Sequence, residues 1–127
     1  MQTDGCCYGN PGPAGAGVVI YRKINNNMQE ILAKGLSIGP IGTNNIAEAI
    51  AFIIGAEKVI KLAKEHAGGD GEVDEVKITA LLDSQIVVDM IDGRSMPKHP
   101  TMRKLMQIAR RFADGGINVS HVRRNFN

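Results

Sequence analysis

Apolar and polar positions alternate along this chain with two different periods, and the switches between them mark out its elements. Met1–Tyr8 reads as a short strand, broken by the turn residues Gly9-Asn10-Pro11-Gly12-Pro13. The β-rich run AGVVIYRK follows, then Asn25-Asn26-Asn27, then QEILAKGLSI. Asparagine-rich turns close hairpins well, so the two runs are expected to pair antiparallel. After Gly39-Pro40 the period lengthens, and Thr43-Asn44-Asn45 offers helix N-cap residues. A long helix is predicted from there to about Glu65, ended by the loop Gly68-Gly69-Asp70-Gly71. VKITALL is a continuous apolar strand of the kind found in sheets covered on both faces. SQIVVDMI reads as a short helix stopped by Gly93. Thr101–Ala113 reads as another helix, with Met102, Leu105, Met106, Ala109 and Phe112 on one stripe. Gly115-Gly116 ends it, and INVSHV is the last strand. The order β-β-β-α-β-α-α-β predicts an α/β fold. Its mixed five-stranded sheet would join an antiparallel hairpin to parallel strands, with helices on both faces.

The bulk composition adds bounds. The 127 residues suit a single domain, 1–127, with a real core and no repeat or linker. An apolar fraction of 43% and a charged fraction of 22% are ordinary for a soluble protein. A net charge of +2 does not by itself argue for nucleic acid. However, Lys98, Arg103, Lys104, Arg110, Arg111, Arg123 and Arg124 crowd the last third, which suits either a solvated helix face or a polyanionic partner. The only cysteines are the neighbours Cys6 and Cys7, too few for a zinc site and badly placed for a disulfide. With no signal peptide and no long apolar span, the expected setting is the cytoplasm, away from membranes. His66, His99 and His121 are scattered without metal-ligand spacing and read as surface or strand residues.

Three acids stand where a carboxylate has little structural reason to be. Glu48 lies in the apolar run NIAEAIAFII, Asp83 closes VKITALLD, and Asp4 runs into a glycine-proline stretch. At about 100° per residue, Glu48 falls in line with Phe52, Ala56, Val59 and Ala63. It lies opposite Glu57, Lys58, Lys61, Lys64 and Glu65, and so faces the sheet. The plain alternative is an acid escaping to water at the first helical turn, favoured by the helix dipole. Asp83 stands where a parallel strand hands over to a helix, the edge at which open α/β sheets bind ligands. Capping the next helix would explain it equally well, and a turn before Gly5 would explain Asp4. Taken together, three carboxylates at neighbouring element ends suit magnesium or manganese rather than zinc. The run GNPGPAGAG lacks the lysine of a phosphate-binding loop and leads into a strand, so it reads as a tight bend.

DGCCYGNPGPAGAG, TNNIAEAIA and LLDSQIVVDMI, in this order and at these separations, resemble type 1 ribonuclease H, and SHVRRNFN resembles the start of that family's last motif. The resemblance covers nearly the whole chain. It implies the ribonuclease H-like fold and metal-dependent endonucleolytic hydrolysis of the RNA strand of RNA–DNA hybrids. Asp4, Glu48 and Asp83 match metal-binding, catalytic carboxylates of the family, with two Mg2+ or Mn2+ ions expected once substrate is bound and Asp4 bridging them. Asn10, Asn44, Asn45 and Gln85 match positions that contact the hybrid near the scissile bond, and Thr43 matches a DNA-phosphate contact. Amides of this kind can read minor-groove edges and 2′-hydroxyls. Turn-making accounts structurally for Asn10, and helix capping for Thr43, Asn44 and Asn45.

The chain departs from the family pattern in four respects. It begins only three residues ahead of Asp4, where the family usually has a longer central strand, it reaches Asn127 without the family's fourth acid, the flexible-loop histidine has no match, and Gly93–Pro100 holds no basic protrusion. Both ends therefore read as trimmed. The expectation is a monomeric hybrid nuclease. The alternatives are a catalytically weak or inactive hybrid-binding module, or a nuclease domain cut from a larger reverse-transcriptase-like protein.

Overall fold

The computed structural model describes the backbone of residues 1–7, 12–24, 27–66 and 78–122; within these, side chains are described for all but residues 2–7, 12–16, 22–24, 34, 36–42 and 66. Among the described residues, five strands and three helices follow one another in the expected order: β1 (Gln2–Cys7), β2 (Gly12–Ile24), β3 (Asn27–Gly42), α1 (Asn44–His66), β4 (Ile78–Leu82), α2 (Gln85–Ile91), α3 (Pro100–Asp114) and β5 (Ile117–His121). The strands form one mixed sheet in the order β3-β2-β1-β4-β5. β1, β2 and β3 pair antiparallel, whereas β1 with β4 and β4 with β5 are parallel.

The hairpin arms outrun the stretches their composition suggested. β2 begins at Gly12 and includes Pro13, and β3 continues through Gly39-Pro40 to Gly42. A proline removes a ladder donor, which a sheet tolerates at its edge, and β3 is the edge strand. Register shifts between Gly12 and Ala14 and between Ala14 and Gly15 absorb the irregularity. The expected turn around Gly9, Asn10 and Pro11, with Tyr8 before it, lies outside the described residues, as do Asn25, Asn26, Gly68–Gly71, Val76 and Lys77.

Helix coverage corrects one expectation. Helices were expected on both faces of the sheet, but α1, α2 and α3 all touch one another and share one apolar cluster. That cluster joins Phe52 and Ala56 of α1 to Val87 and Ile91 of α2, Met102, Met106 and Ala109 of α3, and Ile78, Ala80, Leu82 and Ile117 of the sheet. β4 accordingly alternates instead of being covered on both sides: Ile78, Ala80 and Leu82 are buried, Thr79 is exposed and Leu81 half-buried. On β5, Asn118 and Ser120 are exposed at the positions paired with Thr79 and Leu81. Among the described residues, the face carrying Val19, Thr79, Leu81, Asn118 and Ser120 has no helix over it. Apolar composition alone could not separate a strand buried on both sides from one buried on a single side.

Candidate metal and nucleic-acid site

The helix starts position the candidate residues. Thr43 caps α1: its Oγ1 accepts the N–H of Ile46 at 3.2 Å, and its carbonyl accepts that of Ala47 at 2.9 Å. Asn44 then projects exposed from the first turn, while Asn45 is half-buried. Glu48 follows on the inner face and is 3% exposed, the only buried charged side chain among the described residues. It has not escaped to water at the helix start. The periodicity placed it correctly beside Phe52 and Ala56, both fully buried. A carboxylate is costly to bury, and cation binding is one way to offset that cost.

At the other helix start, Ser84 is the N-cap of α2, with its Oγ accepting the N–H of Val87 at 3.3 Å. Capping therefore does not account for Asp83, which occupies the bend between β4 and that cap. The same Ser84 hydroxyl donates to Asn45 Oδ1 at 3.4 Å, tying the first turn of α1 to the β4–α2 junction. The sheet brings in β1. Thr3 pairs with Leu82 in the parallel ladder, so Asp4 and Asp83 each follow one member of the same pair. On its other side Asp4 pairs with Gly17 of β2. The backbone thus brings the carboxyl end of β4, the middle of β1 and the N-terminus of α1 to one edge.

His121 belongs to this edge as well, which its scattered position in the sequence concealed. It ends β5 beside Leu82, and its Nε2 donates to the carbonyl oxygen of Asp83 at 3.2 Å. Val122 adds a backbone bond from its N–H to the Leu82 carbonyl at 2.8 Å, so β5 braces the turn that carries Asp83. The signal that could have found His121 was register: parallel pairing aligns the end of INVSH with the end of ITALL.

The remaining candidates are placed unequally. Gln85 opens α2 and is exposed, its Nε2 donating to Asp89 Oδ1 at 2.8 Å. Asn10 lies outside the described residues, as does the side chain of Asp4. Among the described residues, no group of three or more histidine, cysteine, aspartate or glutamate side chains is close enough to hold a metal ion. Nor is any helix among them long and apolar enough to cross a membrane. Carboxylates are hard oxygen donors, the chemistry that Mg2+ and Mn2+ select, so Glu48 and Asp83 fit such an ion by type.

Comparison with known proteins gives the arrangement a context. A family model described as reverse transcriptase-like matches residues 2–127. A bifunctional protein of Mycobacterium tuberculosis is 33% identical over 113 residues, covering 89% of this chain and 27% of the relative. This chain thus spans about a quarter of that relative's length. Among solved structures, the N-terminal ribonuclease H domain of a Mycobacterium tuberculosis protein, fused to maltose-binding protein, superposes with a TM-score of 0.73 at 31% identity. That match covers 96% of this chain and 79% of the other. LC11 ribonuclease H1, solved in complex with an RNA/DNA hybrid, superposes with a TM-score of 0.77 at 25% identity, covering 97% of this chain and 83% of that one. With the fold, the element order and a family match over nearly every residue in agreement, the chain belongs to the reverse transcriptase-like family of ribonuclease H-like domains.

Proposed function

We propose that this domain is a metal-dependent endonuclease that hydrolyses the RNA strand of RNA–DNA hybrids. The observation that carries the reading is the edge where Glu48, buried at the start of α1, is linked through Asn45 and Ser84 to the turn holding Asp83. Asp4 sits at the adjoining register position of β1. Relatives named ribonuclease H, and a similar structure solved with an RNA/DNA hybrid, support the same substrate.

In this reading Asp4, Glu48 and Asp83 hold two Mg2+ or Mn2+ ions once the hybrid is bound. Such ions supply an activated water and stabilise the leaving 3′ oxygen. The chain's own groups do the positioning. Thr43 meets a DNA phosphate at the N-terminus of α1, where the helix dipole and its backbone N–H groups favour an anion. Asn10, Asn44, Asn45 and Gln85 read groove edges and 2′-hydroxyls. The Ser84 hydroxyl keeps Asn45 turned toward the β4–α2 junction, and His121 steadies the backbone of Asp83.

The test is cleavage of an end-labelled hybrid in Mg2+ and in Mn2+, with the matching DNA duplex as control. Cleavage confined to the RNA strand, lost in Asp83→Asn, is the expected result. A wild-type chain inactive in both metals would overturn the assignment.

A further inference from the structure

Beyond the candidate site, the described part of the charge that crowds the last third of the chain, from Lys98 to Arg111, gathers on and around α3. On the exposed side of α3, Lys104 and Arg111 share one face, two turns apart, and Arg103 flanks them. Lys98 stands exposed just ahead of the helix. The Arg103 Nε donates to the Pro97 carbonyl at 3.0 Å, which holds the Lys98 segment against the first turn of α3. Arg123 and Arg124 lie outside the described residues, and the other described cations of this region are already engaged. Arg110 is turned inward onto the carbonyls of Met90 and Ser95 at 2.9 and 3.3 Å, and Arg94 pairs with Asp89 at 4.0 Å.

The ordinary explanation of such a face is solvation, and Arg111 in the last turn also suits the helix dipole. Comparison with α1 argues for more. The exposed side of α1 mixes Lys61 and Lys64 with Glu57 and Glu65. Along α3 the only exposed acid is Asp114, at the far end. Direction matters too. α3 meets β5 through Gly115-Gly116 and packs on it, so helix and strand run in opposite senses. The Lys98–Lys104 end of α3 therefore lies toward the same edge of the sheet as His121 and Asp83, and Arg111 lies further from it.

We infer that the outer face of α3, through Lys98, Lys104 and Arg111, is a second contact for the nucleic acid, engaging its phosphate backbone beyond the point of cleavage. This rests on the hybrid-nuclease reading above. The occupant is nucleic acid because the face offers an acid-poor row of cations that leads away from the cleavage edge. α3 is about 22 Å long, at about 1.5 Å per residue. It would therefore follow about six or seven nucleotides of one strand, at about 3.4 Å each.

The experiment compares the wild type with a Lys104→Gln/Arg111→Gln double variant on hybrids of about 8 and about 20 base pairs, over a salt series. Both residues are exposed and glutamine is a good helix former, so the variant should keep the fold, which its thermal melt checks. For the long hybrid, affinity should fall several-fold and the slope of log affinity against log salt should shrink by about 0.9 for each lost phosphate contact. Cleavage of saturating short hybrid should not change. Unchanged affinity and slope on the long hybrid overturn the second contact while leaving the nuclease reading intact. Equal losses on both lengths also overturn it, because they place the two cations at the cleavage edge itself. A wild-type chain that neither binds nor cuts hybrid overturns both readings.

Discussion

Glu48 and Asp83 differ in what surrounds them, so they should answer differently to loss of charge. Glu48 is almost fully buried, and a carboxylate there opposes folding unless it is well compensated. Glu48→Gln keeps the shape and removes the charge. Cleavage should fall about a hundredfold or more while the variant still folds, as its thermal melt would show, because the substitution keeps the side chain's size and removes only its charge. Added Mg2+ should raise the melting temperature of the wild type and not of this variant, because only a site that binds the folded state shifts unfolding. Equal protection of both proteins by the metal would argue against Glu48 as a ligand. The position of Glu48 was readable because a helix's period fixes its inner face. That of His121 was not, because its contact with Asp83 depends on strand pairing between separate segments.

At the scale of elements, two short helix starts carry the site, and each is held by one hydroxyl. The Ser84 hydroxyl serves two groups, accepting the Val87 N–H and donating to Asn45 Oδ1. Ser84→Ala should cost about 1 kcal/mol through the lost cap alone. It should also weaken hybrid binding more than Ile117→Val does at similar stability loss, since the Ser84 hydroxyl ties the two helix starts together whereas Ile117 is a core residue at the far end of β5. Chemical denaturation paired with hybrid titration checks this; equal binding losses would reduce Ser84 to a cap. The element order was legible from hydrophobic period and turn residues. The true length of the hairpin arms was not. Gly12-Pro13 and Gly39-Pro40 read as breaks, and only the edge position of β3 and its register shifts let the strands run past them.

At the scale of the whole fold, the helices that cover one face of the sheet among the described residues make neighbouring residues unequal. Leu82 is fully buried against the helices, whereas Leu81 on the opposite face is only half-buried. Leu82→Ala should cost about 2–5 kcal/mol, and Leu81→Ala less than half as much, by urea unfolding. Similar costs would mean that the second face is covered after all. Nothing in the run ITALL distinguishes these two leucines; the difference comes from where the helices lie. The parallel pairing of β1 with β4 has a kinetic consequence. The amino group of Met1 bonds the Thr79 carbonyl across a sequence separation of 78 residues, and the Leu81 N–H bonds the Met1 carbonyl. Closing so long a loop is entropically unfavourable and slow compared with forming the local hairpin or α1. Asp4 and Asp83 become neighbours only at that closure. In stopped-flow refolding, metal capture should therefore lag behind the gain of helical signal, so that the proposed metal centre matures as one of the last events in the life of the newly folding chain.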